Sequence, residues 1–231
     1  MGKSVSYPVA VLLAGGLLWS ACGGASSNGL ANDSATQIVN QVAKAMRAAS
    51  SVHLSGSIGG ETVNLSIFKD GSVSGAMARG SASFQLVLLP GGSFYIKAPA
   101  WFWKQQGMAS LLLSRVADHW VQIPDSGSAR PVLPRSLSLS GMASLFAHSG
   151  GTLMKVGTET VRGQSAVGVR SSKGGTIWVP TSGLGLPIEV VGPSGQGSLE
   201  FNDWNQGSSP GVPSGVVTLP TGASGSSGTS G

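Results

Sequence analysis

Between residues 35 and 50, Ile38, Val39, Val42, Ala43, Ala45, Met46 and Ala49 recur at spacings of three and four, with Asn40, Gln41, Lys44 and Arg47 between them. That period places the apolar set on one stripe of a helix. Ser34-Ala35-Thr36-Gln37 precedes it in the Ser-x-x-Gln form of a capping box, which closes two orphan backbone donors at a helix start. The period then falls to two. Val52, Leu54 and Ile58 alternate with His53, Ser55 and Ser57, and after Gly59-Gly60 the alternation resumes as Val63, Leu65 and Ile67 against Thr62, Asn64 and Ser66. A hairpin with one dry and one polar face is predicted. Further strands follow at 72–78, 82–89 and 92–98, separated by Lys69-Asp70-Gly71 and Pro90-Gly91-Gly92.

Ala98 to Lys104 leaves the sheet, and Met108, Leu111, Leu112 and Val116 predict a short helix within 105–117. Residues 119–123 read as a strand. Pro124, Pro131 and Pro134 make 124–135 a loop, and Leu137, Leu139, Met142, Leu145 and Phe146 predict a second short helix near 136–148. Gly141 inside it costs about 1 kcal/mol relative to alanine. From Thr152 onward the strands are regular: 152–156, 158–162, 165–171, 175–180, 186–192 and 197–203. The sum is an α+β domain: one curved antiparallel sheet of about ten strands, an N-terminal helix and short helices over the concave face. Three short helices are little cover for so large a sheet, so an incompletely filled apolar concavity becomes a ligand-site hypothesis.

The ends of the chain carry different signals. After Met1-Gly2-Lys3, the apolar run Val9 to Trp19 is about a dozen residues long, whereas a membrane-spanning helix needs roughly 20. A basic start, a short apolar centre and small residues at Ser20-Ala21 fit a secretory signal over 1–21. Leu18-Trp19-Ser20-Ala21-Cys22 resembles the lipobox of bacterial lipoproteins, in which the cysteine becomes the acylated first residue of the mature chain. The alternative is a soluble secreted protein whose single cysteine is incidental. On the lipoprotein reading Cys22 is an anchor, since each buried CH₂ contributes about 0.8 kcal/mol and two or three acyl chains hold firmly. Residues 22–34 are then expected to be a flexible tether, 35–220 the folded domain, and the Gly/Ser/Thr-rich 221–231 a disordered tail.

Composition narrows the partners. Charged residues make up 10% of the 231 and there is one cysteine, so neither a disulfide nor a cysteine-based zinc cluster can hold the fold. Lys3 is the only charge in residues 1–21, so the mature chain carries 13 Lys and Arg against 9 Asp and Glu, a formal +4. These are scattered, with no block and no aromatic interleaving of the kind that marks a nucleic-acid footprint. Mild attraction to anionic headgroups is the better-supported consequence. No cofactor is indicated.

Several segments carry a family resemblance. Val156-Gly157-Thr158-Glu159-Thr160-Val161-Arg162-Gly163-Gln164, the strand Ala166 to Arg170, Ile177-Trp178-Val179-Pro180, Leu186 to Val190 and Phe201-Asn202-Asp203-Trp204-Asn205 resemble the C-terminal half of the actinobacterial LppX/LprG-type lipoproteins. Ala48 to Gly56 is similar to that family's opening, and Phe94-Tyr95-Ile96-Lys97 with the Trp-rich segment after it to its middle. The resemblance covers roughly residues 35–220. It implies a half-barrel related to the LolA carriers, helices lying over its open face, and an apolar cavity holding a lipid or glycolipid, with no catalytic residues. With the lipobox, the expectation is a membrane-anchored extracytoplasmic location, with an envelope transporter as a candidate partner.

Candidate site residues follow from both readings. Trp101, Phe102 and Trp103 either line a cavity mouth, dip into a membrane interface or plug the end of the sheet. Met108, Leu111, Leu112, Leu137, Met142, Leu145 and Phe146 either wall a lipid cavity or form plain core. Two other function classes stay open: an envelope scaffold with a filled interior, and a hydrolase. The second would require His119 or His148 to reach a serine and a carboxylate, and the chain carries no Gly-x-Ser-x-Gly, His-Glu-x-x-His or phosphate-loop motif.

Overall fold

A computed structural model describes residues 26–124, 137–148 and 150–219. The expected 1–21 leader, Cys22, the 125–136 part of the proline-rich stretch and the expected 221–231 tail lie outside them. The capping box forms as the sequence predicts: the Gln37 amide donates to Ser34 Oγ, and the Ser34 amide donates to Gln37 Oε1 at 2.9 Å. It opens α1 (Ala35–Ala48), whose stripe of Ile38, Val42 and Met46 is fully buried.

Strands β1 (Ser51–Ile58), β2 (Glu61–Phe68), β3 (Val73–Arg79), β4 (Ala82–Leu88), β5 (Phe94–Lys97) and β6 (Trp120–Ile123) form one antiparallel meander. A second contains β7 (Leu153–Val161), β8 (Gln164–Ser171), β9 (Thr176–Pro180), β10 (Glu189–Val191) and β11 (Gly197–Asn202). The two join where β1 pairs with β11, and a two-residue β12 (Val217–Thr218) runs parallel to β6, giving a single 12-stranded sheet. Close approach of the strands at and near the seam depends on glycine. A Cβ on Gly56, at φ 132°, would lie 2.3 Å from the Ser198 carbonyl oxygen, and one on Gly75, at φ 142°, would lie 2.1 Å from that of Asn64.

Helices α2 (Ala100–Gln105) and α3 (Ser110–Val116) lie between β5 and β6, and α4 (Leu139–Ala147) between β6 and β7. The dry face of the sheet meets α1, and α4 packs on α1 through Leu139, Met142 and Ala143, all in the main core. Leu65, Ile67, Leu86, Ile96, Val121, Val167 and Val179 have no exposed surface, so no water-sized void touches them.

The sheet is the α+β half-barrel expected, with twelve strands in place of about ten. The segments 152–156 and 158–162 are one strand, β7, because the break at Gly157 is a β-bulge and not a turn. The expected tether over 22–34 is shorter, since residues from Ser27 are tied to the domain: Ser27 bridges Ser182, and a single 3₁₀ turn, Leu30–Asn32, buries Leu30. Lys155 Nζ donates to the Ala31 and Asp33 carbonyls at 2.8 and 3.1 Å. Registers divide the strand ends into two rims. The rim where residues 27–33 dock gathers 69–72, 162–163, 181–188 and 203–207; the opposite rim gathers 59–60, 80–81, 172–175, 192–196 and the α2–α3 excursion.

Candidate functional site

At the opposite rim, Pro99 caps the start of α2, where three successive aromatics span about 200° of the helix and therefore point in different directions. Trp103 goes inward, 1% exposed, its indole N–H donating to the Ala98 carbonyl at 3.1 Å. Phe102 is buried with its ring 5.2 Å from both Phe84 and Trp103, the latter contact edge to face. Trp101 stays half-buried. Phe102 and Trp103 thus plug this end of the sheet.

The Met108 amide donates to the Trp103 carbonyl at 3.0 Å, and the Met108 side chain packs half-buried against the core. In α3, Val116 points fully inward while Leu112 and Leu113 are half-buried; three consecutive leucines cover some 200° of a helix, so one must face out. Leu111 is that one, 91% exposed. In α4 the Ser138 hydroxyl accepts from the Gly141 amide at 3.0 Å, Met142 enters the core, and Phe146 lies half-buried 6.3 Å from the Phe201 ring. Leu137 is half-buried beside the helix start. Leu145, about a quarter turn off the buried stripe, is 58% exposed.

Two sequence candidates are thereby corrected: Leu111 and Leu145 form outer apolar surface and do not line the interior in this conformation. Phe102, Trp103 and Met142 are core. Trp101, Met108, Leu137 and Phe146 form a half-exposed apolar border packed against the core, and Leu112 is half-buried.

Two pockets formed by described residues lie elsewhere. One of about 310 Å³ sits on the rim where residues 27–33 dock, bounded by Arg162, Leu184, Leu186, Phe201 and Trp204 among others. Another of about 490 Å³ lies on the polar outer face beside Ser51, His53, Ser66 and Asp203. Arg162 forms an ion pair with Glu200 that holds the Glu200 carboxyl below its usual range. Asp70 is lowered too, by hydrogen bonds from the Ser209 and Ser72 hydroxyls. The three histidines stand apart: His53 Nε2 meets Asn64 Oδ1 at 3.0 Å, His119 Nδ1 the Ala117 carbonyl and His148 Nδ1 the Ser144 carbonyl. None of these bonds joins a histidine to a serine hydroxyl or a carboxylate. Among the described residues no three metal-ligating side chains converge, and no helix is long and apolar enough to cross a membrane.

No family model and no curated protein matches the sequence. Among solved structures, LprF from Mycobacterium bovis is similar with a TM-score of 0.55 at 14% identity, over 81% of this chain and 99% of LprF. This chain shares the fold of LprF. The Mycobacterium tuberculosis lipoprotein LppX is similar at a TM-score of 0.48 and 16% identity, over 75% of this chain and 96% of its own. The fold agrees with the resemblance read from the sequence, at an identity too low to carry residue roles across. Sequence reasoning missed the docked segment 27–33 and the loop that receives it. Gly183-Leu184-Gly185, a leucine between two glycines, was the one available signal for that loop.

Proposed function

We propose that this chain is an extracytoplasmic lipoprotein, acylated on Cys22 and held to the outer face of the cell membrane, that carries a lipid or glycolipid between the half-barrel and its short helices. The observation that carries the reading is the contrast between a continuous apolar concave face and its cover. α1 is seated by a fully buried stripe, whereas α2, α3 and α4 are short and leave Trp101, Met108, Leu112, Leu137 and Phe146 half-exposed, with Leu111 and Leu145 outside. Acyl chains would enter along that border by displacing short helices, exchanging one apolar environment for another at about 25 cal/mol per Å² of area kept from water. No covalent chemistry is involved. An envelope transporter would be the partner that receives or supplies the cargo.

One observation favours a second reading, an envelope scaffold with no cargo: Ile38, Val42 and Met46 of α1 and Leu65, Ile67 and Leu86 of the central strands have no exposed surface. Mass spectrometry of organic extracts separates the two. Residues 25–231, produced without the anchor and purified without detergent, are expected to retain a stoichiometric lipid that Leu112→Asp loses while keeping its circular dichroism spectrum. An empty wild-type domain that also takes up no lipid from its own host would establish the scaffold.

A further inference from the structure

The N-terminal segment and the 181–188 loop hold each other. The Asn28 amide donates to the Thr181 carbonyl at 2.9 Å, and Asn28 Nδ2 donates to the carbonyls of Pro180 and Gly183 at 3.0 and 3.4 Å. The Thr181 amide in turn donates to the Ser165 carbonyl at 2.9 Å. Beneath the loop Leu30 is 2% exposed, and a Cβ on Gly185 would come within 3.1 Å of Leu30 Cδ1. Above it Leu184 is 75% exposed. A leucine displayed on a loop pinned from both sides is not a side chain that merely failed to find the core.

Two features point to what covers it. Residues 181–188 contain no charge; of the two charged side chains lining the adjacent pocket, Arg162 is paired with Glu200 and Asp203 is exposed, so the loop itself can enter an apolar phase without carrying an ion in, while Asp203 stays in the headgroup layer. Residues 23–25 alone separate Cys22 from Ser26, a reach of at most about 14 Å when fully extended. An eight-residue strand is about 26 Å long, so so short a leash holds the rim where the segment docks at the headgroups.

We propose that the 181–188 loop is a membrane-docking surface, with Leu184 inserted into the interface of the bilayer that holds the Cys22 acyl chains. This rests on the acylated-anchor reading above. It also fixes the orientation of the domain: the opposite rim, with α2 and α3, points away from the anchoring membrane, so cargo would be exchanged on the outward side.

The test uses the full acylated chain in phosphatidylglycerol–phosphatidylethanolamine vesicles. Acylation occupies the sulfur of Cys22, so Leu184→Cys offers one free thiol for a bimane label, and Ser194→Cys, exposed on the β10–β11 turn of the opposite rim, is the reference. Flotation reports the anchor, and quenching reports the docking. The label at 184 is expected to shift to the blue and to lose emission to lipid-borne nitroxides, while the label at 194 loses emission to aqueous iodide only. Equal iodide quenching at both positions in chains that float with the vesicles would overturn the docking surface and leave the anchor standing. Chains that do not float would overturn both.

Discussion

The two meanders solve burial differently. β1, β2 and β3 have one dry face, and their other face carries His53, Ser55, Asn64, Ser66 and Ser74. β8 and β9 are dry on both. Val167, Val169, Ile177 and Val179 face the main core, while Ala166 and Trp178 join Val161 and Ile188 in a second cluster on the opposite face. Gly168 makes the second cluster possible. It lies opposite Trp178 in the ladder, and a Cβ there would sit 2.6 Å from Val156 Cγ2 and 2.7 Å from the indole, so the ring covers bare backbone. A sheet with a single helical layer can therefore be stiff at one side, where a tryptophan and a glycine seal its outer face, and ordinary at the other.

Substitutions sharpen the contrast. Trp178→Ala removes the centre of the second cluster and is expected to destabilise the domain by about 3–5 kcal/mol, read as a lower urea midpoint. Gly168→Val keeps the ring but drives two methyls into it and into Val156; a loss of about 1–3 kcal/mol is expected, and an unchanged midpoint would mean the indole does not lie over the glycine. Asn64→Ala, on the wet outer face of β2, should stay within about 0.5 kcal/mol of wild type, losing only the contact with His53. The smallest effect is acidic. Glu200 in the second meander and Asp70 in the first both have carboxyls lowered below the ordinary range of about 4. Their contribution is complete above that range and fades as pH falls through the lowered values, so stability should decline in acid. Because the Arg162–Glu200 pair is partly solvent-exposed, added salt should shrink its share, and Glu200→Gln should flatten the acid limb slightly.

The parts of this architecture that were legible in the sequence are those in which one residue's neighbours along the chain are enough. Ser34 and Gln37 announce α1, and Val63, Leu65 and Ile67 announce β2, because cap and alternation are local. Gly157 was misread as a break because a bulge and a turn use the same residue. Trp101-Phe102-Trp103 hid α2, since three aromatics in a row show no helical phase until Pro99 and the Ala98 carbonyl fix the start. β12 has two residues, too few for any period. At the candidate site the sequence marked the right helices but could not choose among adjacent leucines, and Leu111 and Leu145 turned outward. The docking of Ser27 to Asp33 was invisible for another reason: its partners lie some 150 residues away, and nothing in a Ser/Asn/Gly-rich stretch distinguishes a tether from a clasp.

The seam between the meanders has a consequence for how the molecule is made. Ser55 and Asn202 lie side by side although 147 positions separate them. A chain emerging N-terminus first completes β1 early and β11 almost last, yet β11 is the strand that closes the middle of the sheet. Until it arrives, β1 presents an open edge and the first meander an apolar face. Such non-local pairing makes folding slow, on the order of milliseconds to seconds. That waiting period, more than anything in the finished fold, is when two copies are most liable to pair with each other.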